Sequence, residues 1–248
     1  MSKTTTPFEQ LEPEPGPLPD NVCITDSGPA FQVVQDSIWG LWEVVNTLAT
    51  VRPPRRERYR VTIFGSARMQ PHSSLYQEVS WLASQLTVMG CDIITGGGPG
   101  LMQAANEGSV KADLDNLTDS IGIRVGLDFE QQPNPFVEKV YQHRTFFSRL
   151  HHFVLLSDAY VVVPGGIGTT LEALMIWQLL QVRKLNGTPL VMVGEMWKEL
   201  TRWAERYMLK IETPMASATD FKIPHCVANC EEAIAILKRS KANWRQPC

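Results

Sequence analysis

Basic charge and long hydrophobic runs are both scarce in this sequence. Lysine and arginine number 23 against 26 acidic residues, giving a formal net charge of −3 and a pI near 6.0. That balance provides no general electrostatic field for nucleic acid, so we predict no nucleic-acid partner. No apolar run approaches the ~18 residues that cross a bilayer, and no basic region precedes an apolar one near the N-terminus. We therefore expect a cytoplasmic protein without a membrane partner.

Cysteine is also rare, with five residues at positions 23, 91, 226, 230 and 248. An odd number of scattered cysteines indicates a reducing compartment rather than a disulfide framework. His225, Cys226 and Cys230 are close enough in sequence to suggest metal ligands, but no second ligand pair with zinc-like spacing accompanies them. We predict neither a metal nor a cofactor.

The N-terminal quarter differs in composition from the rest of the chain. Residues 1–30 contain six prolines and predict a mobile arm, because such a segment cannot bury enough apolar surface to offset its ordering entropy. Residues 31–59 combine apolar positions at helical spacing with a basic, proline-broken linker. That linker, residues 52–60, is either a solvated connection or a receptor for an anionic effector. Residues 60–248 are long enough for one complete α/β domain.

Strand patterns alternate with helix patterns throughout residues 60–248. The strands are predicted at 60–64, 91–95, 121–125, 137–142, 161–163 and 190–193, with another possible near 221–223. The helices are predicted at 76–89, 103–110, 144–156, from 169 or 170 to 182, at 197–209 and at 231–238. This alternation predicts a Rossmann-like, doubly wound α/β fold, whose mostly parallel sheet has helices on both faces.

A glycine-rich turn joins the predicted strand at 161–163 to the helix that follows it. Gly165, Gly166 and Gly168 allow the backbone to approach a ligand and turn its N–H groups outward, as at phosphate-binding helix N-termini. Thr169 or Thr170 is the expected N-cap. Glu172 lies about one turn into the helix, close to where a phosphorylated sugar would bind.

Two further loops leave predicted strands at the same edge of the sheet. Gly65, Ser66 and Arg68 follow the first strand. Gly97, Gly98 and Met102 follow the second, although Met102 is equally explained by simple packing. Because loops at the carboxyl ends of parallel strands face one crevice, these residues are candidates for phosphate or ribose contacts.

The segment P-G-G-x-G-T-x-x-E, from Pro164 to Glu172, resembles the signature of the LOG (Lonely Guy) family of nucleoside 5′-monophosphate phosphoribohydrolases. Other stretches are similar to successive motifs of the family, in particular of its longer bacterial members: residues 63–68, 95–106, 129–131, 146–149 and 157–159. The resemblance implies hydrolysis of the N-glycosidic bond of a purine, cytokinin-type nucleoside 5′-monophosphate. It also implies that Glu172 and Arg149 are catalytic and that Glu130 binds substrate.

The sequence departs from the family pattern at three positions. Leu150 stands in place of a lysine, Met175 in place of a second glutamate, and Trp177 in place of a substrate-contacting threonine. These changes leave open a protein that binds nucleotides for regulation but has lost catalysis. A true amino-acid decarboxylase is a third hypothesis, but no glycine-rich loop carries the lysine that pyridoxal phosphate requires.

Arg149 and Glu172 each have a purely structural alternative. Glu172 could be a carboxylate favoured by the helix dipole, and Arg149 could pair with Asp158 or another core acid instead of binding phosphate or steadying Glu172. Arg144 and Arg149 would point some 140° apart on one helix at ~100° per residue, so only one of them should face the crevice. The helix that contains Glu172 is apolar nearly all round, which predicts at least a homodimer with the site near its interface.

Overall fold

The computed structural model describes residues 57–126 and 132–244, together with the isolated residue Ile38. The predicted arm, the helical pattern that precedes the basic linker and Glu130 lie outside the described ranges. Seven strands form one sheet: β1 (Tyr59–Phe64), β2 (Cys91–Thr95), β3 (Ser120–Val125), β4 (Lys139–His143), β5 (Ala159–Val162), β6 (Leu190–Val193) and β7 (Pro224–Val227).

The helices connect these strands or follow the last of them. They are α1 (Ser74–Val88), α2 (Leu101–Ala112), α3 (Phe146–Leu156), α4 (Ile167–Gln181), α5 (Glu195–Ala204) and α6 (Cys230–Ala242). A π-helical turn, Glu205–Leu209, continues α5, and a 3-10 turn, Asp220–Lys222, precedes β7. No helix in the described ranges combines the length and the apolar character needed to span a bilayer.

The sheet has the order β4-β3-β2-β1-β5-β6-β7, and each neighbouring pair is parallel. The order in which successive strands are added to the sheet changes direction at β1. Strands β2, β3 and β4 follow on one side of β1, and β5, β6 and β7 follow on the other. Ligands of open α/β sheets bind outside the carboxyl ends of the strands at such a switch point. The predicted fold class, a Rossmann-like doubly wound sheet, is therefore confirmed.

The core lies on both faces of the sheet because side chains alternate along each strand. On β5 and just beyond it, Val161 and Val163 belong to a cluster with residues of α1, α2 and α6. Tyr160 and Val162 belong to the opposite cluster, with residues of α3, α4 and α5. All four are fully buried, which explains why this segment reads as a continuous apolar run.

An ion-pair network closes the amino-terminal edge of the sheet, away from the switch-point crevice. Asp92 is 1% exposed and accepts from Arg58 Nε at 2.5 Å and from Arg60 Nε at 3.3 Å. Arg58 Nη2 also lies 2.6 Å from Asp119 Oδ2, which Lys139 contacts as well. Two arginines at the end of the predicted basic linker are thus paired with acids of the fold.

Within residues 195–227 one secondary-structure prediction was wrong, and a second differs from the structure in its first residue and in the type of its last turn. The strand expected near 221–223 is a 3-10 turn, and the last strand begins instead at Pro224. Proline can begin a strand at the sheet edge because the missing N–H need not join a ladder. The helix expected at 197–209 begins at Glu195 and is π-helical over its last five residues.

Candidate active site

Three loops meet at the switch point through backbone hydrogen bonds. The N–H of Ser66, after β1, donates to the carbonyl of Pro164, after β5, at 3.1 Å. The N–H of Leu101, at the start of α2, donates to the Ser66 carbonyl at 2.8 Å. The loops predicted to converge from separate strands therefore do so, with Ser66 as their common neighbour.

Gly100 makes this convergence possible. Its φ of +69° is one that residues with a side chain rarely adopt. A Cβ at this position would lie 2.4 Å from the Ser66 carbonyl oxygen. Any other residue at position 100 would push the β1 and β2 loops apart. The glycine run after β2 is therefore required by the contact between loops as well as by any ligand.

Arg149 and Glu172 form an ion pair beside these loops. Arg149 Nη2 lies 3.2 Å from Glu172 Oε1, and the two side chains are only 14% and 10% exposed. Arg149 Nε donates to the carbonyl of Ile123 on β3 at 3.0 Å, which fixes the guanidinium against this interior strand. Asp158, the predicted alternative partner, instead accepts from the backbone N–H of Arg60.

Burial changes the acidity of Glu172. Desolvation raises its pKa from the ordinary 4.5 to about 7, although the positive charge of Arg149 acts in the opposite direction. A carboxyl group that exchanges its proton near neutral pH, next to a fixed cation, is suited to charge stabilisation or proton transfer. Simple dipole stabilisation of a surface carboxylate does not account for this environment.

Arg149 is also in contact with the glycine loop after β2. A Cβ on Gly96 would lie 2.5 Å from Arg149 Nη2 and 2.7 Å from Met102 Sδ, and one on Gly98 would lie 2.8 Å from Met102 Cε. The predicted residues Gly98, Met102, Arg149 and Glu172 are thus brought into one neighbourhood. Met102 is half-buried and fills the space over the glycines.

The start of α4 differs from the prediction. The helix begins at Ile167, its N-cap is Gly166, and no side chain caps it. Thr169 is buried beneath Gly165, and Thr170 Oγ1 donates back to the Gly166 carbonyl, so neither threonine is the N-cap. The N–H groups of the first turn consequently have no capping side chain, as is required where a helix terminus receives an anion.

Open space surrounds the α4 terminus. Gly166 and Gly168 are exposed, and a Cβ at either position would meet no atom within 4 Å. Ser66 is half-buried at the adjacent loop, where its Oγ accepts from the N–H of the exposed Arg68 at 3.1 Å. Arg144 precedes α3 and is exposed, so Arg149 is the one of the two arginines that faces the crevice.

Sequence reasoning missed the polar residues that hold the loop after β2. Gly97 turns its N–H inward to Thr95 Oγ1 at 2.9 Å, so that group is not presented to a ligand. The carbonyls of Gly97 and Gly98 accept from the backbone and side-chain amide of Asn134. Asn134 lies in a proline-flanked stretch without helical or strand periodicity, and no sequence signal connects it to a loop 36 residues away.

The three departures from the family pattern lie in buried or half-buried positions. Leu150 is 8% exposed. Met175 is partly buried against the core cluster on the α4 side of the sheet. Trp177 is 9% exposed, donates from Nε1 to the Asp220 carbonyl at 2.9 Å and packs edge-on against Phe221. Met175 and Trp177 therefore have evident packing roles.

A parallel sheet whose glycine loops meet beside a buried Arg-Glu pair at the switch point defines a Rossmann-like protein with a candidate active site at that point. Residues 102–237 match the model of a family described as "Possible lysine decarboxylase". The match covers more than half of the chain, and the protein belongs to this family, the LOG family.

The chain is also similar to a curated relative over part of its length and to solved structures in fold. The chain is 29% identical over 119 residues to the pyrimidine/purine nucleotide 5′-monophosphate nucleosidase of Escherichia coli K12. The matched segment covers 46% of this chain but only 26% of that relative. It thus spans about a quarter of that protein's length. The molybdenum cofactor carrier protein of Chlamydomonas reinhardtii has a TM-score of 0.57 at 20% identity, covering 75% of this chain and 99% of the other. The molybdenum cofactor binding protein of Rippkaea orientalis gives 0.55 at 17%, covering 74% and 97%. At these identities both show the fold alone.

Proposed function

We propose that this protein hydrolyses the N-glycosidic bond of a purine nucleoside 5′-monophosphate, including cytokinin-type substrates. The C1′–N bond breaks, water adds its oxygen to C1′, and a proton goes to the departing base nitrogen. The products are the free base and ribose 5-phosphate. The buried pair of Arg149 and Glu172 at the meeting point of three loops is the observation that carries this proposal.

Glu172 is the proposed catalytic carboxylate. Breaking a glycosidic bond creates positive, oxocarbenium-like charge on the sugar, which an adjacent carboxylate stabilises or uses to orient the attacking water. With a pKa of about 7, a large share of Glu172 is ionised at neutral pH. Its low exposure keeps this charge in a medium where electrostatic stabilisation is stronger than in water.

Arg149 is proposed to hold Glu172 ionised and correctly oriented. The guanidinium is fixed by the Ile123 carbonyl on one side and contacts Glu172 on the other, so it needs little reorganisation during the reaction. Its remaining N–H groups are proposed to bind a substrate phosphate or ribose hydroxyl.

The 5′-phosphate is proposed to bind at the N-terminus of α4, at Gly165, Gly166, Gly168 and Thr169. The uncapped first turn and the open space above Gly166 and Gly168 support this position. A helix dipole contributes about 0.3–1 kcal/mol per charge, and up to ~2 kcal/mol in partly buried geometry. Gly65, Ser66, Arg68, Gly98 and Met102 complete the proposed binding set, and Glu130 is proposed from the family motif. Gly97, predicted as a binding residue, is left out because its N–H and carbonyl are both bound within the protein, to Thr95 and Asn134.

A second candidate is a nucleotide-binding regulator without catalysis. Leu150 and Met175 favour it, because both replace polar residues of the family pattern. The packing of Met175 against the core weakens this argument, because a methionine at that position is explained by packing and need not reflect a loss of catalysis. A decarboxylase, as the family's description suggests, would need a Schiff-base lysine, and the three glycine-rich loops contain none. Purified protein without an imine absorbance band would exclude it.

The experiment is a product assay with AMP, isopentenyladenosine 5′-monophosphate and UMP. Release of free base together with ribose 5-phosphate, lost in Glu172→Gln, supports the hydrolase, and the ranking of the three substrates gives the base preference. Tight nucleotide binding without turnover by the native protein would support the regulator instead.

We further propose a homodimer whose interface includes the outer face of α4. Ile167, Leu171 and Leu174 recur on that face with 88%, 52% and 44% exposure. Burying such side chains is worth about 1.5–3 kcal/mol each. A second copy covering this face would lie near the proposed phosphate site, because Ile167 and Gly168 are adjacent.

A further inference from the structure

We propose that Asn134 is a positioning residue that fixes the glycine loop after β2, and with it the direction of the Gly98 N–H, for substrate binding. This inference rests on the proposed function, because it assigns a role within the same phosphate-binding site. Asn134 lies outside the three glycine loops and outside the residues that the family resemblance singled out.

The backbone N–H and the side-chain amide of Asn134 all make hydrogen bonds within the protein. Its backbone N–H donates to the Gly97 carbonyl at 2.9 Å, and its Nδ2 donates to the Gly98 carbonyl at 2.9 Å and to Asn106 Oδ1 at 3.0 Å. Its Oδ1 accepts from the Phe136 N–H at 3.1 Å. With Asn134 only 7% exposed, two consecutive carbonyls of the glycine loop are held by one buried residue.

A second buried amide fixes the first. Asn106 Oδ1 accepts from Thr95 Oγ1 at 2.7 Å, and Asn106 Nδ2 donates to Ser120 Oγ at 2.9 Å. Thr95 and Asn106 are fully buried. A buried network in which each member has partners is rigid, because breaking one bond leaves polar groups without water to replace it.

Because the peptide bond is planar, fixing the Gly97 carbonyl also fixes the direction of the Gly98 N–H. In a trans peptide the C=O of one residue and the N–H of the next point opposite ways. The backbone N–H of Asn134 holds the Gly97 carbonyl, which turns the Gly98 N–H away from Asn134. The side-chain amide keeps residue 134 in the place where its backbone makes this bond, through its own bonds to the Gly98 carbonyl and Asn106 Oδ1. The next peptide presents no donor, because residue 99 is proline. Since the Gly97 N–H is bound to Thr95, Gly98 supplies the donor whose direction Asn134 sets.

Glycine alone would not hold this direction. Three consecutive glycines, 96 to 98, have more conformational freedom than any other tripeptide, and ordering them costs entropy at each residue. The hydrogen bonds of Asn134, Asn106 and Thr95 offset that entropy loss during folding, before any ligand binds. Without it the loop would have to be ordered by the ligand, which would weaken binding of the phosphate rather than the chemical step.

The test measures the KM for AMP, kcat, and the calorimetric affinity for ribose 5-phosphate in Asn134→Ala. We expect KM to rise and ribose 5-phosphate affinity to fall by about 10- to 100-fold, with kcat within about threefold, because uniform binding is lost. Asn186→Ala is the matched control: Asn186 is exposed and its side chain donates to the Arg183 carbonyl, so this change should leave all three quantities unchanged.

A purely structural role gives a different result. Asn134→Ala would then lower kcat in proportion to the loss of folded protein, while KM and ribose 5-phosphate affinity stay the same, and the inference would be overturned. If Asn134→Ala does not fold, Thr95→Val and Thr95→Ser test the same loop. The serine variant should bind normally and the valine variant weakly; equal binding by both overturns the inference. Native protein that binds ribose 5-phosphate without turnover contradicts the proposed hydrolysis alone.

Discussion

Arg149 Nη2 lies 3.2 Å from Glu172 Oε1, and each residue belongs to a helix that follows a different strand of the sheet. Each contacts or adjoins a glycine loop, Arg149 at Gly96 and Glu172 one turn beyond Gly168. The pair therefore connects the loop after β2 with the one after β5. Changes that disturb it should affect the site before they affect the fold.

The stability of the protein should depend on pH through Glu172. Its pKa is raised from 4.5 to about 7, so between these values the folded state keeps a proton that the unfolded state has released. The free energy of unfolding should thus fall as pH rises through this window and level off above it, by about 3 kcal/mol relative to Glu172→Gln. Denaturant unfolding of both proteins at pH 5 and pH 8 checks this. An unchanged difference between them would contradict the raised pKa.

Arg149 should set the pH at which the enzyme becomes active. Its charge lowers the pKa of Glu172, so Arg149→Met should raise that pKa and move the acid limb of the rate profile to higher pH. Arg149→Lys keeps the charge and should move it less. Profiles of kcat/KM against pH for the three proteins are the measurement. A limb at the same pH in all of them would assign it to another group.

Adding a methyl group at Gly96 should displace the Arg149 guanidinium. The new Cβ would lie 2.5 Å from Nη2, and the φ of Gly96 is outside the left-handed region, so the strain falls on the arginine and not on the backbone. We expect Gly96→Ala to lower turnover by about 10²–10⁴-fold, the range for a mispositioned acid-base group. Gly166→Ala has no neighbour within 4 Å and should retain turnover at saturation but bind nucleotide weakly. Similar effects of the two changes would oppose this assignment.

A charge on the outer face of α4 should dissociate the proposed dimer. Leu171→Asp and Leu174→Asp place a carboxylate where a second copy would bury an apolar side chain, an unfavourable exchange unless the charge is paired. Leu114→Asp is the control, because Leu114 is 88% exposed in the turn after α2. Sedimentation equilibrium should give a monomer for the first two variants and a dimer for the control. Native protein that sediments as a monomer rules out the interface.

The fold could be predicted from sequence because each buried strand reads as a short apolar run ended by glycine or a polar turn. The predicted boundaries of helices and strands were wrong where the surrounding structure overrode the local preference of single residues. Thr169 and Thr170 are good N-cap residues, yet α4 begins before them because Gly165 and Gly166 can adopt the turn into the helix. The final strand was misplaced because Phe221 and Ile223 are apolar for a different reason: both pack against the core from a 3-10 turn and its end.

The candidate site was predictable only where residues follow strand ends directly. The loops after β1, β2 and β5 must share one edge of a parallel sheet, so their convergence follows from topology. The partner of Arg149 did not follow, since Asp158 and Glu172 were both available and only tertiary packing selects between them. Asn134 was missed for the same reason, as its bonds to residues 97 and 98 depend on how β3 and the segment after it pack.

The most direct measurement is a crystal structure of Glu172→Gln bound to AMP, in which the substrate should remain uncleaved. We expect the phosphate at the N-terminus of α4, within hydrogen-bond distance of the N–H groups around Gly166 and Gly168. We also expect the residue 172 side chain beside C1′ of the ribose. AMP bound away from the three loops, or a residue 172 side chain that points away from the sugar, would contradict this expectation.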